Sequence, residues 1–236
     1  MRKIQTLAIV VISTLLLSSC VVGNARTHKT QVKNINQETA MSRFDGISVA
    51  GSMNVELIQG DEYSVLVKGA DSESFDKLVI YVKDNTLNIE TKNEFFDFVS
   101  TNNMREVTVY VTTPDIKDIS CAGSGTLTAK KPINTGTLHL SIAGSGDVAF
   151  NDQLSCNNLK VDIAGSSDVT FKHLKADILK TSIAGSGSVV YKDMDVDEAV
   201  SSIAGSGKII LQGKVSKHSE DVAGSGNIDT KGITQQ

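Results

Sequence analysis

The sequence predicts an all-β protein whose main body is a right-handed parallel β-helix with coils of about 20 residues. Three observations carry this. The tetrapeptide Ala-Gly-Ser-Gly, or a near copy, begins at Ala50, Ala122, Ala143, Ala164, Ala184, Ala204 and Ala223, and from Ala122 the intervals are 21, 21, 20, 20 and 19 residues. Between copies the apolar residues recur with a period of two, which is the period of strands. Finally, 12 of the 19 glycines fall inside the motif copies, so glycine is periodic here and not the mark of a flexible linker. Hydrophobic residues make up 40% of the 236, enough for a packed core, which excludes wholesale disorder.

Residues 1–19 read as a secretory signal peptide. Arg2 and Lys3 precede the apolar run Leu7–Leu17, which is short for a membrane span. The ending Leu17-Ser18-Ser19-Cys20 resembles the bacterial lipobox, whose cleavage leaves Cys20 as a lipidated first residue. Several acyl chains, at about 0.8 kcal/mol per buried CH₂, hold a protein stably on a membrane where one chain does not. Residues 20–40 then form a polar tether without sustained periodicity. Position 21 is Val, not the Asp that retains many lipoproteins at an inner membrane, which favours the outer membrane and leaves the facing side open. Without the leader the chain carries 21 basic and 27 acidic residues, a net charge of −6, and no Lys/Arg cluster. Nucleic acid is therefore not an expected partner.

Residues 41–112 alternate without the regular motif spacing. The runs are Phe44–Val49, Val55/Leu57, Tyr63/Val65/Val67, Leu78/Ile80/Val82, Leu87/Ile89 and Val107/Val109/Val111. Lys83-Asp84-Asn85 between two runs predicts a hairpin. This portion reads as a mixed or antiparallel β cap, because the open end of a solenoid is an unpaired edge.

From 113 to 236 the copies align into columns. Before each Ala stand Cys121, Ile142, Ile163, Ile183, Ile203 and Val222. Six positions on come Leu127, Val148, Val169, Val189, Ile209 and Ile228, then Ala129, Phe150, Phe171, Tyr191, Leu211 and Thr230. Upstream run Leu138, Leu159, Leu179 and Ala199, and pairs such as Leu154/Cys156 and Met194/Val196 mark a short third strand. A unit this small buries its apolar face only by stacking on its neighbours, and six coils at about 4.8 Å make a rod about 29 Å long. Glycine supplies the sharp turn at each corner, and the serines between the glycines are expected to satisfy local backbone groups. An anion-binding glycine loop is disfavoured, since no helix start follows any copy.

Candidate chemistry is sparse. Asp147 and Asp168 fall in one column on adjacent coils, about 5 Å apart, and could take part in a metal site; two carboxylates fall short of the 6–8 oxygens Ca²⁺ requires. The bland reading is a solvated polar column, and no metal or cofactor is expected. The histidines are scattered, without zinc spacing. Cys121 and Cys156 align to different columns and read as reduced core thiols, with a disulfide as the alternative. Phe150, Phe171 and Tyr191 read as an internal stack. Phe95, Phe96 and Phe98 either close the end of the core or form an exposed contact patch.

Phe44-x-x-Ile47-x-Val49-x-Gly51, the segment through Leu87-x-Ile89 and the serial Ile-Ala-Gly-Ser-Gly copies together resemble the GIN-domain family, the head domains of auto-transporter adhesins and of many Bacteroidetes lipoproteins. The resemblance covers about residue 41 to the C-terminus. It implies a β-helical domain, a cell-envelope location and an adhesive or binding role, and it brings no catalytic residues. The expectation is a non-catalytic, lipid-anchored envelope protein with a glycan or surface protein as ligand. The alternatives are a polysaccharide-active enzyme using Asp147 and Asp168, and a self-associating structural protein.

Overall fold

The structure, a computed structural model, describes residues 36–70, 72–92 and 102–235. The signal peptide, Cys20, the tether to residue 35 and Phe95, Phe96 and Phe98 lie outside the described residues. The predicted architecture is present: an all-β solenoid of about six turns joined to a mixed sheet.

The N-terminal strands are β1 (Thr39–Ala40), β2 (Gly46–Gly51), β3 (Asn54–Gln59) and β4 (Ser64–Lys68). A short helix α1 (Ser72–Lys77), the hairpin β5 (Leu78–Lys83) and β6 (Thr86–Thr91), a 3₁₀ turn and β7 (Thr108–Thr113) follow. β2 and β3 are already a solenoid coil bent at the first motif copy. β6 lies parallel on β2 and β7 parallel on β3, so a segment later in the chain forms the coil outside an earlier one. The solenoid thus reaches into residues 41–112, and 112 is no structural boundary. Antiparallel strands seal that coil: β5 on β6, β4 on β7, and β1 on β4. Asp84 and Asn85 take φ of 50° and 59°, the left-handed pair a two-residue hairpin turn requires.

The tether also ends earlier than the sequence indicated. Asn36 N–H donates to the Val67 carbonyl at 2.9 Å, and Ser64 Oγ donates to the Glu38 carboxylate. These contacts and the β1 pairing draw residues 36–40 into the domain, a long-range effect that local polarity conceals.

The regular coils begin with β8 (Asp118–Gly123), β9 (Thr126–Ala129), β10 (Ile133–Asn134) and β11 (Thr137–Gly144). From there one long bent strand makes each turn: β12 (Asp147–Gly165), β13 (Asp168–Gly185), β14 (Ser188–Gly205), β15 (Lys208–Gly224) and the closing β16 (Asn227–Gln235). All pair in parallel, and the motif stacks in register as Ala143, Ala164, Ala184, Ala204 and Ala223. One core runs along the axis, with Leu140, Val161, Ile163, Val189 and Ile209 buried in it. Phe150, Phe171 and Tyr191 stack face to face inside, with centroids 5.0 Å apart. The Tyr191 hydroxyl, fully buried, meets Thr181 Oγ1 at 2.7 Å.

The corner is built from backbone. The first glycine of each copy has a φ between +123° and +145°, and a Cβ on Gly144 would lie 2.4 Å from the Gly123 carbonyl oxygen. Coils approach there more closely than any side chain allows. The serines act differently from expectation. Ser145 and Ser166 donate their backbone N–H to Gly123 and Gly144 of the coil above, both at 2.9 Å, while the six hydroxyls are exposed. The ladder already uses the local backbone groups, so the hydroxyls face solvent.

Candidate functional site

Coil length shapes the surface. Phe150 to Gln153 spans three residues where Phe171 to His173 spans two, so β13 omits one residue at the bend after the aromatic stack. β15 omits another, with Leu211 to Gly213 set against Tyr191 to Met194. Beside these omissions lies an open groove of about 270 Å³ lined by Gln153, His173, Lys175, Asp193, Asp195 and Lys214, with Leu174 and Met194 at its base.

Its charges alternate. Lys175, Asp195 and Lys214 sit in register on three successive coils, and His173 Nδ1 lies 2.9 Å from Asp193 Oδ2. Ammonium donors and carboxylate acceptors side by side suit a polar, hydroxyl-rich or mixed-charge ligand better than a polyanion. The sequence reading missed this groove, although the change of interval from 21 to 20 to 19 residues was its trace.

The other two histidines among the described residues face carboxylates as well. His139 Nε2 is 2.9 Å from Asp162 Oδ2, and Nδ1 is 3.7 Å from Asp118 Oδ1. Both ring nitrogens of this imidazole thus face carboxylates on the neighbouring coils. His218 Nε2 faces Glu220 Oε1 at 3.3 Å.

Asp147 and Asp168 do fall side by side, both exposed. Their link is the Asp168 backbone N–H donating to Asp147 Oδ1 at 3.3 Å. Among the described residues no group of three or more His, Cys, Asp or Glu is placed to hold a metal ion. Cys121 and Cys156 are free, and burial pushes both thiols up to about 12.

The family model described as "putative auto-transporter adhesin, head GIN domain" matches residues 43–172 and 161–236. The chain belongs to this family. Solved structures share the GIN-domain fold. A "putative adhesin" from Parabacteroides distasonis aligns at TM-score 0.74 and 22% identity over 81% of this chain and 79% of that one. A "putative lipid binding protein" from the same species gives 0.63 and 24% over 84% and 96%. A "putative adhesin" from Bacteroides fragilis gives 0.64 and 20% over 82% and 94%. No match was found among curated proteins. At these identities the likeness speaks for the fold, and the ligand has to be argued from this chain's own surface.

Proposed function

We propose that this GIN-domain chain is a non-catalytic, lipid-anchored binding head of the cell envelope, held at the outer membrane through Cys20 and taking a glycan or surface protein as ligand. The observation that carries the binding role is the groove across β12 to β15, where Gln153, Lys175, Asp195 and Lys214 present donors and acceptors on a stiff frame. Family membership supports an envelope location, and Leu17-Ser18-Ser19-Cys20 supports the anchor.

The test pairs a binding array with fractionation. The purified protein should bind a subset of glycans or matrix proteins, and Lys175→Glu with Lys214→Glu should abolish that binding while leaving the melting temperature near its original value. Binding that ignores both substitutions would remove the groove from the proposal. Cys20→Ala should move the protein from the membrane to the soluble fraction. Retention in the membrane without lipid on Cys20 would end the anchoring claim.

A further inference from the structure

The groove beside the omitted residues is a trough aligned with the solenoid axis. Its floor is the inward column of Leu174 and Met194, both buried. One wall is Gln153, His173 and Asp193, and the other is Lys175, Asp195 and Lys214, each wall climbing one coil per residue. The walls are braced from within. His173 Nδ1 lies 2.9 Å from Asp193 Oδ2, and Gln153 Nε2 donates to Ser155 Oγ at 2.9 Å. Polar groups are thus presented along the axis at the spacing of the coils, about 4.8 Å.

That spacing selects the ligand. From β12 to β15 the trough runs about 14 Å, so its 270 Å³ amount to a section of roughly 20 Å². An α-helix, about 10–12 Å across with its side chains, does not seat in it. An extended peptide presents same-face side chains every two residues, about 6.6–6.8 Å, and falls out of step with the coils at once. A pyranose chain linked through equatorial oxygens is one ring wide and advances by about one coil spacing, ~4.8 Å, per sugar. Laid along the trough, its ring C–H groups meet Leu174 and Met194, and its equatorial substituents reach the two walls.

The order of charges narrows the class further. Lys175 and Lys214 stand two coils apart, about 9.6 Å, with Asp195 between them. An acid on every sugar sets one carboxylate against Asp195. An acid on every second sugar meets both ammonium groups, and the sugar between them offers hydroxyl or amide N–H donors to Asp195. We propose that the groove takes a linear glycan with a carboxylate on alternate sugars, binding about four sugars, one per coil from β12 to β15. This rests on the groove being the binding site and goes beyond that reading by fixing the ligand's repeat.

Calorimetric titration of the full chain with defined tetrasaccharides tests it, with melting curves confirming that each variant is folded. Hyaluronan and unsulfated chondroitin alternate glucuronic acid with an N-acetylhexosamine; mannuronate carries an acid on every sugar, and chitin carries none. An alternating probe should bind at least about tenfold more tightly than mannuronate or chitin. Lys175→Gln and Lys214→Gln should each weaken it about five- to tenfold and leave chitin unaffected. Asp195→Lys makes the ladder wholly basic and should reverse the order in favour of mannuronate, a gain that a damaged fold does not produce. Failure of both alternating probes to bind would overturn the proposal. So would a wild-type preference for chitin or mannuronate; if Lys175→Glu with Lys214→Glu abolishes that binding, the groove stands and only the alternating repeat falls. Binding of an alternating probe that ignores every substitution in the ladder would overturn the repeat and the groove together.

Discussion

The central coils and the last coil share the same columns and fill them with different residues. Ile163 and Ile183 are 2% and 1% exposed, whereas Val222 in the same column is 40% exposed. Leu179 gives way to Ala199 and then His218, and Thr181 to Ser201 and then Glu220. Between two coils these columns hold apolar or small uncharged residues, Thr181 and Ser201 among them, and charge enters with Glu220 on the last coil, where one side is solvent. The demand on a residue here comes from its neighbours along the axis more than from its own segment.

The largest expected effect exploits that contrast within one column. Ile163→Asp places an unpaired carboxylate between Ile142 and Ile183, at a cost of several kcal/mol against a domain stability of about 5–15 kcal/mol. Val222→Asp makes the same chemical change at the open end, where water reaches the new group, and should cost about 1 kcal/mol or less. Thermal melts of the two variants decide it. Equal losses would mean that the coils do not act as separate layers.

Next in size is the corner. Gly144→Ala forces a side chain into a backbone region kept for glycine and against the Gly123 carbonyl, and should destabilise by at least about 2–3 kcal/mol. Gly136→Ala is the control. Nothing lies within 4 Å of a Cβ there, so the change should be neutral or stabilising by up to about 1 kcal/mol. Urea unfolding of both variants separates steric demand from mere loss of glycine.

The contrast also shows which features the sequence reveals. The solenoid was legible because six near-identical segments repeat one solution, and each column averages out local exceptions. The cap resisted reading because its order in space differs from its order in the chain: β6 and β7 stack outside β2 and β3. Alternation indicates that each is a strand and says nothing of which neighbour it takes. The surface shows the same division. Alternation with the buried Val161 and Ile163 turns Asp162 outward, yet its bonds to His139 and Lys160 depend on which side chains the register brings together. The groove arises from two omitted residues, a signal carried by spacing and not by composition.

The smallest expected effect concerns ionisation and compares the half-buried thiols of the central coils with one placed at the end. Burial raises Cys121 and Cys156 from an ordinary value of 9.0 to about 12, so both stay neutral in the folded protein. The unfolded chain ionises them near its ordinary value. Their contribution to stability is thus fully present below about pH 9 and is lost as pH rises toward 12. Burial moves Tyr191 in the same direction, so the melting temperature should hold through neutrality and fall over that alkaline window. Replacing both cysteines with Val should flatten part of the fall. Reactivity gives a second reading of the same physics, because the thiolate is the nucleophile. In a Cys20→Ala background at neutral pH, a thiol reagent should label Val222→Cys quickly and the half-buried, neutral Cys121 and Cys156 more slowly. If Cys156 reacts as fast as the cysteine introduced at position 222, partial burial in the central coils does not protect the thiol. The layered difference between centre and end would then be one of composition alone.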